Sequence, residues 1–126
     1  MKRDIENRAD IELLMRGFYD KLLSDTAMQH IFLEVAQLDL EAHFPRLVDF
    51  WDSILFFTAT YRDNAMLKHL ELHQKVALKP QHFATWLQFF DETVDELFEG
   101  EKAKLAKERA HSIAGIMQIK VGQLKT

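Results

Sequence analysis

The sequence predicts an all-α fold, on three observations. Only four glycines and two prolines punctuate 126 residues, which leaves few places to turn a hairpin and suits long helices joined by brief loops. Apolar residues recur at helical spacing over long stretches, the mark of helices that bury one face. A chain of this length with 48% apolar residues has enough material for one core and too little for two, so residues 1–126 read as a single domain.

Taken in order, Ile11, Leu14, Met15, Phe18, Leu22 and Leu23 form one apolar stripe with a period near 3.6 residues. Asn7 or Asp10 can cap the helix that carries it, and the helix is expected to end near Ser24. A short turn from Asp25, containing Ile31 and Phe32, leads to a second pattern through Leu47, Val48, Phe50, Trp51, Ile54 and Leu55. Pro45 lacks the amide N–H that a helix interior needs, so this helix starts near Phe44, or starts near Leu40 and bends. The pattern lapses between Thr58 and Asn64, where Asn64 can cap a short helix carrying Met66, Leu67, His69 and Leu70. Pro80 suits a first helical position, and Phe83, Trp86, Leu87, Phe90, Val94, Leu97 and Phe98 then mark a buried face up to Gly100. The last helix runs from about Glu101 to Val121, with Leu105, Ile113, Ile116 and Met117 expected inward.

Several function classes are excluded. A net charge of −4 without a clustered Lys/Arg stripe does not serve nucleic acid, which must have several phosphates neutralised at once. No apolar run approaches the ~20 residues that span a bilayer. The charged start Met1-Lys2-Arg3-Asp4 is unlike a signal segment, so a cytoplasmic protein without a membrane partner is expected. With no cysteine, disulfides, thiolate nucleophiles, iron–sulfur clusters and Cys-ligated haem all fall away. Nucleophile-elbow, phosphate-loop and dinucleotide motifs are missing from the sequence.

The remaining signal is aromatic and imidazole-rich: ten Phe, two Trp, two Tyr and six His. Most aromatic residues at helical spacing simply fill a core. Glu108 and His111 make one Glu-x-x-His pair, but a di-iron site needs two such pairs and further carboxylates, so they read as a solvated pair. His69 and His73 stand at i, i+4 and can face one zinc ion, though the intervening Glu and an obvious third ligand are missing. His30 and His82 have no evident partner. A haem site demands less of a sequence: one histidine on a helix, an apolar cavity, and polar groups on the far side of the iron. Periodicity alone leaves His69 open between a satisfied core histidine and such a ligand.

The run Gly17-Phe18-Tyr19-Asp20-Lys21, then Ile31-Phe32, His43 ahead of Phe50-Trp51, Leu67-Lys68-His69-Leu70, and Phe83 ahead of Trp86-Leu87 resembles the group III truncated haemoglobins in order and spacing. The resemblance covers nearly the whole chain. It implies a truncated globin fold with helices packed in crossed pairs around a haem pocket. It also implies His69 as the iron ligand of haem b, Tyr19 and Trp86 as distal donors, His43 as a third donor or a swinging gate, and Leu47 as the bulky distal neighbour. By the same resemblance Phe32 packs against the haem, and Arg46 and Lys68 are candidate partners of its propionates. One departure is local: where the family carries glycines around the tyrosine before the proximal helix, this chain reads Phe57-Thr58-Ala59-Thr60-Tyr61-Arg62-Asp63-Asn64-Ala65. The glycine pairs of other truncated-globin groups are also missing, as group III leads one to expect.

The function so implied is binding of O2, NO, CO or a similar small ligand at a His-ligated iron. Redox chemistry such as NO dioxygenation or peroxide turnover, served by a reductase as partner, is a further expectation, because a pocket dense in donors suits oxidative chemistry as well as delivery. The alternative is a haemless helical interaction or sensor module of globin ancestry, which would fold stably without cofactor.

Overall fold

The structure is a computed structural model, and it describes residues 2–31, 40–58 and 79–123. The expected short helix from Asn64 lies outside the described residues. Among those described, five helices follow one another: α1 (Arg8–Ser24), α2 (Thr26–Gln29), α3 (Leu40–Phe56), α4 (Pro80–Leu97) and α5 (Glu101–Gln123).

Helix α1 begins at Asn7, whose side chain accepts the Asp10 N–H at 3.0 Å. Asn7 is therefore the cap, and Asp10 has another role. The buried Asp10 carboxylate accepts the Glu6 N–H at 2.8 Å and a bidentate pair from the Arg3 guanidinium, and that guanidinium holds its carboxyl below the usual range. The stripe from Ile11 through Leu14, Met15 and Phe18 to Leu22 is buried as expected. Asp25 stops α1 in extended backbone, and its carboxylate then accepts the Met28 N–H at 3.1 Å. The expected turn thus holds a one-turn helix that buries Met28.

Helix α3 starts at Leu40, the earlier of the two starts foreseen, and carries Pro45 in its interior. It ends at Phe56, and at the next residue, Phe57, φ is +57°, a left-handed conformation often seen just past a helix C-terminus though rare for a bulky side chain. Lys102 covers this end: its Nζ donates to the Leu55 carbonyl at 2.6 Å and lies over the rings of Phe56 and Phe57. Helix α4 opens with Pro80 at its first position, its entry fixed by reciprocal bonds. The Lys79 N–H donates to His82 Nδ1 at 3.0 Å, and the His82 N–H donates to the Lys79 carbonyl at 2.9 Å. His82, which showed no partner in the sequence, is thus a helix-start residue, and burial pushes its imidazole below the usual pKa.

Packing joins α1 to α3 and α4 to α5, with α1 against α4 and α3 against α5 tying the pairs together. Gly17 allows the α1–α4 approach, since a Cβ there would stand 3.0 Å from Thr93 Cγ2. On α5 the inward stripe is Ala103, Ala106, Ala110, Ala114 and Met117. Leu105 and Ile113 are half-buried against the core, whereas Ile116, expected inward, is half exposed to solvent at 50%. Small side chains let α5 lie close on its neighbours, and the bulky residues fall to the flanks of that stripe.

The segment before α1 fastens the far end of the chain. Asp4 accepts the N–H groups of Lys102 at 2.9 Å, Ala103 at 2.9 Å and Ile5 at 2.8 Å, so it caps α5 from across the fold. Gly100 admits this carboxylate: its φ is +146°, and a Cβ would lie 2.5 Å from Asp4 Cγ. Burial opposes ionisation of Asp4, yet the N–H bonds and Lys102 outweigh it and hold the carboxyl below its ordinary value. Replacing Asp4 by Ala should cost about 1 kcal/mol, the worth of a helix cap. Because the folded pKa is depressed, this stabilisation is present above the unfolded value near pH 4 and is lost as pH falls through the folded one. The difference in urea unfolding between parent and Asp4→Ala should therefore be largest at neutral pH and shrink as pH falls below about 4; a difference that does not change with pH would contradict the assignment.

Candidate functional site

Among the described residues, aromatic contacts concentrate where α1, α3 and α4 meet. Phe18, only 1% exposed, is its hub. Its ring meets Tyr19 at 5.5 Å, Trp86 at 5.3 Å and Phe90 at 5.2 Å, each edge to face. Phe90 is flanked in turn by two stacked indoles, Trp51 of α3 at 4.9 Å and Trp86 at 5.6 Å. On the other side, Tyr19 meets the Phe44 ring of α3 at 5.6 Å. A continuous run of rings thus leads from Phe44 through Tyr19 and Phe18 to Trp86.

Two members of this run carry hydrogen-bond donors. Tyr19 is buried, and burial pushes its phenol well above the usual pKa, so at physiological pH it is an O–H donor. Trp86 packs on Phe18 and Phe90 and is itself half-buried, leaving part of its indole uncovered. Phe44, Leu47 and Leu87 are also only half-buried while packed on the core. The result is an apolar wall with a phenol and an indole set on either side of Phe18.

The residues expected at a haem site distribute as follows. Tyr19 and Trp86 come together through Phe18, and Leu47 stands on α3 one turn beyond Phe44. His43 lies on α3 next to Phe44 in the chain, with its side chain outside the described residues. Arg46 is exposed on the same helix. His69, Lys68 and Phe32 lie outside the described residues, as does His73. Elsewhere, Glu108 and His111 are exposed as foreseen, but His111 Nε2 reaches across to Asp91 Oδ2 of α4 at 2.7 Å, a pair between helices that sequence spacing did not suggest. Among the described residues no three metal-ligating side chains cluster, and no helix is long and apolar enough to cross a membrane.

Two residues near the donors escaped the sequence reading. Phe44 touches Tyr19, and the Arg16 guanidinium lies 4.8 Å from the Phe44 ring centroid. Their signal was present but faint: Arg16 precedes Tyr19 by three residues, hence on the same side of α1, and Phe44 adjoins His43.

No family model matches the chain. It is 26% identical over 121 residues to a group 3 truncated haemoglobin of Campylobacter jejuni, covering 94% of this chain and 93% of that protein. The crystal structure of the group III truncated haemoglobin from Campylobacter jejuni superposes with a TM-score of 0.83 at 26% identity, covering 96% of this chain and 95% of that one. Sequence and fold therefore agree over almost the full length: this all-α chain has the truncated-globin fold and is a relative of the group III truncated haemoglobins.

Proposed function

We propose that the chain is a haem-binding globin that takes up O2 or another small diatomic ligand at an iron held by His69, with haem b as cofactor. The observation that carries this reading is the ring run from Phe44 to Trp86, which joins the buried Tyr19 phenol to the half-buried Trp86 indole through the Phe18 ring. The half-buried rings at its two ends suit packing against a flat apolar macrocycle, and the two donors suit a ligand that gathers negative charge on binding. Haem, when bound, supplies an iron that takes the diatomic ligand and exchanges electrons.

The chain's own residues set the rest. His69 ligates in its neutral form, best oriented when its other ring nitrogen donates to an acceptor. Tyr19, kept protonated by burial, donates its O–H to the ligand, and Trp86 its indole N–H. His43 adds a third donor or a gate, Leu47 limits the space beside the ligand, Phe32 packs on the haem face, and Arg46 and Lys68 pair with the propionates. Retaining a charged ligand between fixed donors favours oxidation of NO or turnover of peroxide with an external reductase as much as simple storage.

Stopped-flow measurement of O2 dissociation tests the donor role. Tyr19→Phe removes one hydrogen bond to a charged acceptor, worth about 1.5–3 kcal/mol, so dissociation should speed on the order of 10- to 100-fold with little change in association. An unchanged dissociation rate would overturn the role given to Tyr19.

A further inference from the structure

Arg16 lies exposed on α1 between Glu12 and Asp20, each one turn away. Those neighbours offer the ion pairs usual on a helix surface, yet among the described residues Arg16 pairs with neither. Its guanidinium sits instead 4.8 Å from the centroid of Phe44 on α3. Phe44 in turn sets its ring against Tyr19 at 5.6 Å and 66°. A cation, a half-buried ring and a buried phenol thus form one run across the α1–α3 seam.

We propose that Arg16 and Phe44 are positioning residues for the distal pocket: the cation–π contact holds Phe44 down on Tyr19, which fixes where the phenol points and closes the solvent side of the pocket. The inference rests on the reading of Tyr19 as a distal donor. Among the described residues, two rings meet Tyr19 edge-on, Phe18 on its own helix and Phe44 on α3. Phe18 is fully packed and fixed; Phe44 is the adjustable one, since water reaches its outer side. The backbone gives it less support than usual, because Pro45 lacks the N–H that would bond the carbonyl of residue 41. Arg16 supplies the missing restraint from outside, and its planar guanidinium suits an aromatic face better than an ammonium does. The same contact fixes the part of α3 that carries Leu47, three residues beyond Phe44.

The test uses Arg16→Met, which keeps an apolar stem and removes the charge, with Arg16→Lys and Phe44→Leu alongside. An exposed cation–π contact is worth about 0.5–1 kcal/mol, so Arg16→Met should speed O2 dissociation about 2- to 5-fold. The infrared band of bound CO should gain a second component at the higher frequency of a ligand without a donor. Arg16→Lys should recover part of both effects, Phe44→Leu should exceed them, and Arg16→Met should add nothing once Tyr19 is Phe. A merely structural Arg16 would leave the CO band single and act equally in the Tyr19→Phe background, and either result overturns the proposal. A second measurement needs no ligand: in urea unfolding, Arg16→Met and Phe44→Leu should couple, the double variant falling short of the product of the singles by about 2- to 5-fold in equilibrium constant. If the chain takes up no haem, the reading beneath the proposal fails. The unfolding cycle then decides the Arg16–Phe44 contact alone, with coupling upholding that contact and strict additivity overturning it.

Discussion

Phe18→Ala is expected to lower the unfolding free energy by about 3–5 kcal/mol, the cost of removing a fully buried phenylalanine from a core. The ring is the hub of three edge-to-face contacts at 5.2–5.5 Å, to Tyr19 on its own helix and to Trp86 and Phe90 on α4. Each such contact adds about 0.5–1.5 kcal/mol beyond the buried area, and the rigid α1–α4 approach at Gly17 limits collapse of the cavity left behind. Both donor rings lean on Phe18, so the substitution should also loosen Tyr19 and Trp86. Urea unfolding at matched haem content measures the loss. Leu13→Ala, at a position 51% exposed on the same helix, serves as control and should cost less than about 0.5 kcal/mol. A Phe18→Ala loss no larger than that of the control would mean that the aromatic hub does not hold α1 to α4.

Much of this architecture was legible before any coordinates. The stripe from Ile11 to Leu22 placed α1, and Pro80 with Gly100 bounded α4, because periodic burial and backbone-restricted residues act locally. Pro45 showed where α3 is under constraint but not how it is resolved, since both starts are compatible with a missing amide. What stayed hidden was of two kinds. Ile116 was expected inward because bulky residues carry the apolar signal, whereas α5 buries alanines whose small size sets the interhelical distance. Asp4 capping α5, His111 reaching Asp91 and Arg16 covering Phe44 depend on distant parts of the chain meeting, and nothing in local spacing encodes them. At the candidate site, Tyr19 and Trp86 were singled out by resemblance to a family. The structure supplies the physical link between them, the Phe18 ring.

His69→Ala is expected to abolish ordinary haem ligation, the largest effect on function in this account. With no cysteine in the chain, thiolate ligation is excluded, and an imidazole is the donor that globins use. His73, four residues beyond His69 in the sequence, and His43 on α3 are the alternatives. Each makes its own prediction: if either were the ligand, removing His69 would leave the spectrum intact. Added imidazole should restore binding to the His69→Ala protein, because the cavity then holds the lost side chain in free form.

The most direct measurement is the absorption spectrum of the protein expressed with ample haem, taken ferric, dithionite-reduced and CO-bound, for the parent and for His69→Ala. A stoichiometric Soret band is expected in the parent, shifting with CO and lost or altered in the variant. A folded, monodisperse parent that takes up no haem would contradict it.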